Sequence, residues 1–449
     1  MKRALLLLVY NLLLPLGLLL LLPGFFSKMG RRGGYSGRFG DRFGCYPETV
    51  LSAVRGGRVI WMHAVSVGEV NVARKVAVQL RRREPETAVV LSTTTATGFQ
   101  VASQEPAVVA IYSPVDLPGV AARCLKALQP TQLVFVEGEL WPNWLEAARR
   151  RGIPCCLINA RLSPRSEARF RKFQAVVRPL YAQLAWVGVQ FPAEVALWKQ
   201  LGPSSVWVSG SVKYDWSENA LPEEGKRREI ASWLERVFPD RAGAPVVLFS
   251  SSSPGEEQLL AEAVDLLPSD CSVRLVLVPR HMERREEVRA DLQTLGWEAV
   301  LKSREQSPSQ GKRALVVDTT GELGAWTAFA DLVVIGKSFL GRGGQNPVEA
   351  MAAEKAVLTG PFMENFRDLM EALVAEGGVT VLREVRAGSL AQELAALLGD
   401  PERCQRQGAR AKKALAPHVG ATARTADWIL EREEILLAQN GPADSFSAP

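Results

Sequence analysis

Histidine is scarce in this chain: His63, His281 and His418 are the three present in 449 residues. The six cysteines, Cys45, Cys124, Cys155, Cys156, Cys271 and Cys404, form no C-x-x-C pair and no disulfide-like framework. A zinc site is therefore disfavoured, and the thiols read as those of a reducing compartment. Neither G-x-x-x-x-G-K-[ST] nor G-x-G-x-x-G occurs in a strand–helix context, which disfavours a P-loop NTPase and a dinucleotide dehydrogenase. No D-x-D pair occurs either, so the expectation is chemistry without a metal and without a cofactor. RNP-like runs, zinc-finger spacings and basic heptads are also missing, and no nucleic-acid partner is expected. Charge is nearly balanced, 54 basic against 48 acidic residues and a net +6, a mild excess suited to an anionic surface or ligand.

Long hydrophobic runs are likewise rare, with one exception at the start. Ala4 to Leu22, mostly leucine, approaches the roughly 20 residues that cross a bilayer, and no A-x-A-like cleavage site follows. The expectation is an uncleaved N-terminal transmembrane or membrane-anchor helix over residues 1–27. Lys28, Arg31, Arg32, Arg38 and Arg42 follow the run and outnumber Lys2 and Arg3 before it, which places the body in the cytoplasm. The same cluster suits an anionic membrane surface.

From Arg58 onward, short β-rich runs alternate with amphipathic stretches at βαβ intervals. Strands are expected at Val59–Met62, Val89–Ser92, Val108–Tyr112, Leu133–Val136, Cys155–Ile158, Trp186–Val189 and Val206–Val208. A charge-rich connection, Glu218 to Asp240, precedes a second series at Val246–Ser250, Leu275–Val278, Leu315–Val317, Leu332–Ile335, Ala356–Leu358 and Val379–Val381. The fold class is α/β: two Rossmann-like doubly wound domains facing a cleft, over 28–218 and 219–435, with a disordered tail at 436–449.

Candidate chemistry sits where strands end. His63-Ala64-Val65-Ser66-Val67-Gly68-Glu69 leaves the first strand and opens a helix, so Glu69 falls at the crevice of an open sheet. A first-turn acid complementing the helix dipole is the bland alternative. Glu137-Gly138-Glu139-Leu140-Trp141-Pro142-Asn143 leaves another strand with two carboxylates, and carboxylates sharing a site raise one another's pKa. Thr93 to Gly98 reads equally well as capping. Asn159 to Ser166 offers Arg161 and Arg165 for phosphate or carboxylate, and Lys213 follows a further strand. In the second half, Pro279-Arg280-His281, Thr320-Gly321-Glu322 and the glycine-rich Gly341 to Glu349 lie at strand ends. Backbone N–H groups there suit phosphate, and a helix-borne carboxylate suits ribose hydroxyls.

Together these segments resemble the Kdo transferases of lipopolysaccharide biosynthesis, which move 3-deoxy-D-manno-octulosonic acid from CMP-Kdo to a lipid A precursor. The resemblance runs from about Gly40 to the Leu397 region and includes Arg42-Phe43-Gly44, Tyr112 to Asp116, Gly255-Glu256-Glu257 and Gly360-Pro361. It implies a GT-B glycosyltransferase, acceptor on the N-terminal domain and CMP-sugar on the C-terminal one. Glu69 matches the general base, and Glu137 and Lys213 match transition-state-stabilising positions. Pro279, Arg280, Thr320, Gly321, Glu322, Asn346, Pro347, Val348 and Glu349 match CMP-binding segments. The chain departs from the family pattern at Gln345, at Gly336-Lys337-Ser338 and at Ser253-Pro254. The rival readings are a GT-B transferase for another nucleotide-activated sugar, and a catalytically silent sugar-nucleotide-binding membrane protein.

Overall fold

The computed structural model describes residues 2–32, 36–162, 164–216, 223–304 and 311–440. Among the described residues, fourteen strands fall into two sheets, each within its own compact unit. The first unit comprises Met1–Asp215 and Gly420–Pro449, and the second Trp216–Val419.

In the first unit the strands are β1 Val59–His63, β2 Ala88–Thr93, β3 Val109–Tyr112, β4 Gln132–Val136, β5 Cys155–Ala160, β6 Leu184–Val189 and β7 Val206–Val208. All pair parallel, in the order β3-β2-β1-β4-β5-β6-β7. Both faces of this sheet are covered: Trp61, Leu133 and Phe135 enter one core, while Ile60, Met62, Val134 and Val136 enter the other. Burial on both faces is why these strands read as continuous apolar runs instead of alternating ones. The order reverses between β1 and β4, which makes their carboxyl ends the switch point of the sheet.

The second unit holds β8 Val246–Ser252, β9 Arg274–Pro279, β10 Glu298–Leu301, β11 Arg313–Val316, β12 Leu332–Ile335, β13 Ala356–Thr359 and β14 Thr380–Val381. Their order is β10-β11-β9-β8-β12-β13-β14, again parallel, with the switch between β8 and β12. Strand β10 was not expected from the sequence. It is a four-residue edge strand directly behind Trp297, too short to separate from a helix end by pattern.

The last helix, Ala421–Asn440, corrects the expected extent of the second domain to 435, because from Gly420 the chain packs on the first unit. The Asp215 carboxylate accepts from the backbone N–H of Gly420 (2.7 Å) and Thr422 (2.8 Å), capping the helix where it enters. Trp428 stacks on Trp207 at 4.1 Å and 5°, and Ala426, Ile429 and Leu430 join the core beside Val76 and Leu80. Residues 436–440 of the expected disordered tail continue this helix, and 441–449 lie outside the described residues.

The expected transmembrane anchor is also corrected. Residues Lys2–Arg32 are helical, but among the described residues no helix is long and apolar enough to cross a membrane. One flank of the N-terminal helix is docked on the first unit through polar groups. The side-chain amides of Asn11 and Asn143 pair reciprocally at 3.1 and 2.8 Å, Arg3 meets Glu146 at 3.4 Å, and Tyr10 bonds to Asp116. The opposite flank exposes Leu5, Leu8, Leu12, Leu13, Leu16 and Leu19. Two of the basic residues expected at lipid head groups are structural: Arg38 pairs with Asp41 at 3.0 Å, and buried Arg42 lies over Tyr112 and donates to the Thr94 carbonyl.

Candidate active site

At the switch point of the first unit, the turn after β1 carries Glu69 and the turn after β4 carries Glu137. Ser66 starts the helix Val67–Arg83, accepting from the Glu69 N–H and donating its hydroxyl proton to Glu69 Oε1 at 2.9 Å. Glu69 Oε2 accepts from the Val65 N–H at 2.9 Å. This reciprocal arrangement is a capping box, so the bland reading of Glu69 is true as far as it goes. The carboxylate is nevertheless unusual. Burial pushes its pKa up, the bonds from Val65 and Ser66 oppose that, and the Glu137 charge adds to it; the net shift is upward.

Glu137 stands in the left-handed region, φ 66°, as does Asn159, the penultimate residue of β5, φ 50°. Such backbone costs of order 1–3 kcal/mol and persists only where the surroundings over-determine it. They do so here. Glu137 N–H donates to Ile158 O, Arg161 N–H donates to Glu137 O, and Asn159 Oδ1 accepts from the Val212 N–H. The result brings Lys213 Nζ within 2.6 Å of Glu137 Oε1, where Asn159 Nδ2 also donates at 3.3 Å. Lys213 and Glu137 are thus in contact, and Glu69 is close enough to feel the Glu137 charge. Glu139 is more open, its pKa raised first by desolvation and then by the Glu69 charge. Arg161 follows the same loop, while Ser163 and the side chain of Arg165 lie outside the described residues.

His63 is buried and neutral, its pKa lowered by burial to about 3. Its Nε2 accepts from Trp141 Nε1 at 3.0 Å and its Nδ1 meets Ser92 Oγ at 2.9 Å, so it fastens the Glu137–Trp141 turn to the sheet. The hydroxyl of Thr95 caps the next helix through the Gly98 N–H.

In the second unit the turns after β8, β9 and β12 surround a cavity of about 500 Å³ lined by Ser252, Ser253, Arg280, Lys337, Gln345 and Asn365, among others. Its floor is pinned by two fully buried glutamates. Glu256 accepts from the backbone N–H of Ser253, Lys337, Phe339 and Leu340, and Glu257 is ion-paired to Arg284 at 2.8 Å and accepts from Ser252 Oγ. Gly336 permits the close approach of these turns, since a Cβ there would lie 2.4 Å from the Ser251 carbonyl oxygen.

Of the expected donor-site residues, Arg280 lines this cavity and Pro279 closes β9 beneath it. Thr320 and Gly321 form an exposed turn beyond β11. Glu322 is already engaged: burial pushes it up, but Lys226, Thr319 and Lys302 outweigh that and hold it down at about 2. Asn346 Oδ1 accepts from the Val348 N–H at the start of the short helix Val348–Ala352, which Pro347 precedes. Glu349 differs from Glu322. Burial raises its pKa, and its Oε2 is buried without a hydrogen-bond partner. Asn365 and Phe366 were missed by sequence reading, because they lie on a loop far along the chain that carries no motif of its own.

Two doubly wound parallel sheets of this kind have the architecture of GT-B glycosyltransferases. The fold is similar to that of a glycosyltransferase from Rickettsia africae ESF-5, TM-score 0.54 at 12% identity, covering 86% of this chain and 100% of that one. Residues 37–216 match the family described as 3-Deoxy-D-manno-octulosonic-acid transferase (kdotransferase). The chain is 33% identical to the 3-deoxy-D-manno-octulosonic acid transferase of Bordetella pertussis over 82% of its own length and 86% of that protein's. The protein of the same name from Haemophilus influenzae is 30% identical over 88% of this chain and 91% of its own length. The chain belongs to the Kdo transferase family, the glycosyltransferases of lipopolysaccharide core biosynthesis.

Proposed function

We propose that this chain transfers Kdo from CMP-Kdo to a hydroxyl of a lipid A precursor, with inversion and with Glu69 as general base. The observation that carries this reading is the state of Glu69: a half-buried carboxylate at a switch point, raised in pKa, next to the Glu137–Lys213 pair. A base contributes most when its pKa approaches the working pH, typically 10²–10⁴-fold. Glu69 takes the proton of the acceptor hydroxyl as that oxygen bonds to the anomeric carbon, and the bond from that carbon to the CMP oxygen breaks. Glu137, ion-paired to Lys213, balances the positive charge that grows on the sugar ring. The second unit binds the donor. There the unpartnered Glu349 Oε2 accepts from a ribose hydroxyl, and Arg280 meets the phosphate as negative charge builds on the leaving CMP.

The exposed leucine flank of the N-terminal helix favours a peripheral place on the cytoplasmic face of the inner membrane, where the lipid acceptor resides. Leucines out and polar groups in is the reverse of an ordinary surface helix, and it suits a helix lying in the lipid interface. The test is transfer from CMP-Kdo to a tetra-acylated lipid A precursor by detergent-solubilised protein. Product carrying Kdo is expected; a folded protein that yields none contradicts the donor, the acceptor or both.

A further inference from the structure

Lys337 is placed oddly for a lysine. It lies at the switch point of the second sheet, directly after β12, with φ 55°, a conformation glycine takes without cost and a lysine does not. Its N–H is clamped at 2.6 Å by buried Glu256 and its carbonyl accepts from the Gly344 N–H, so the backbone conformation is imposed by its surroundings. The side chain lines the 500 Å³ cavity.

The charges around that cavity can be counted. Arg284 is spent on Glu257 and Glu287. Among the described residues Arg280 and Lys337 have no carboxylate within ion-pairing distance, which leaves two unmatched cations on one cavity. A CMP ester of a neutral sugar brings one anionic group, its phosphodiester. A CMP ester of a sugar acid brings two, the phosphodiester and the carboxylate.

Resting on the donor reading above, we propose that Lys337 is a specificity-determining residue: it binds the carboxylate of the activated sugar acid, while Arg280 serves the phosphate. The role is binding and no bond is made or broken by it. A strained lysine is then retained because its ammonium is needed where the backbone alone would favour glycine.

The test compares wild type with Lys337→Gly, Lys337→Met and Lys337→Arg, reading the KM for CMP-Kdo and the inhibition constant of CMP, which lacks the carboxylate. Lys337→Gly removes the charge and relieves the backbone, so its melting temperature should equal or exceed that of wild type. The expected result is a rise in KM on the order of tenfold for Gly and Met alike, the size of one lost charged hydrogen bond. The CMP constant should stay within about twofold, and Arg should restore most of the KM. A CMP constant that rises in step with KM would place Lys337 on the phosphate and overturn the carboxylate assignment. Unchanged constants in all variants, or a defect in Met but not in Gly, would overturn it as well. Wild type that neither turns over CMP-Kdo nor is inhibited by CMP would instead remove the donor reading itself.

Discussion

Ser66 does two things with one hydroxyl: it caps the helix Val67–Arg83 and donates to the Glu69 carboxylate. That donation favours the charged form of Glu69 and so opposes the upward push of burial. Ser66→Ala should therefore shift the acid limb of the kcat/KM profile to higher pH, with loss of about 1 kcal/mol of stability from the missing cap. A limb that stays in place or moves down would mean the limb belongs to another group. Neighbouring Asp116 allows a second test. Its pKa is raised to about 6, by burial first, against the bonds from Asn143, Tyr10 and Trp144 that lower it. An acid raised in the folded state keeps its proton there after the unfolded chain has lost it, so stability falls as pH rises between the two pKa values. Wild type measured against Asp116→Asn should lose ground from about pH 4 to about pH 6, and thermal melts across that window would reveal it. Sequence reading reached Glu69, Glu137 and Lys213 because each follows a strand. It reached Asp116 only as the end of the segment Tyr112 to Asp116, and not its bonds to Tyr10 and Asn143, which are distant in sequence.

The two helices at the chain ends were the elements hardest to read. A run of leucine from Ala4 to Leu22 has the composition of a membrane span, yet Arg3, Tyr10 and Asn11 recur at helical spacing and fix one flank to the protein. The information lies in three polar residues, and their partners Glu146, Asp116 and Asn143 are more than a hundred positions away. If the leucine flank meets lipid, Leu8→Ser with Leu12→Ser and Leu16→Ser should release the protein from vesicles containing anionic lipid while leaving its melting temperature nearly unchanged. Retained binding would place the lipid contact elsewhere. At the other end, Trp428→Ala removes the stack on Trp207 and should cost about 3 kcal/mol, read as a lower urea midpoint for the first unit. The strands were legible throughout except β10, because burial on both faces leaves an apolar run whose signal needs no partner.

At the scale of the whole molecule, a doubly wound parallel sheet is used twice, with different order at one edge, and each copy gathers its candidate residues where strand order reverses. Four of the six non-glycine residues with positive φ among the described ones, Glu137, Asn159, Ser251 and Lys337, stand at strand ends beside these switch points. The sheets were expected from alternation of short apolar runs with helical stretches. The returning helix at Ala421–Asn440 was not, since nothing local distinguishes it from another helix of the second unit. With the proposed base on one unit and the proposed donor site on the other, loss of Glu69 should leave donor binding untouched. The most direct measurement is a single-turnover transfer from pre-bound CMP-Kdo by Glu69→Gln, with its affinity for CMP measured on the same sample. The expected result is a rate at least roughly a hundredfold below wild type with wild-type affinity for CMP, the lower end for a lost general base. A rate close to wild type in the folded variant would show that Glu69 only caps its helix, and the account of the chemistry would fall.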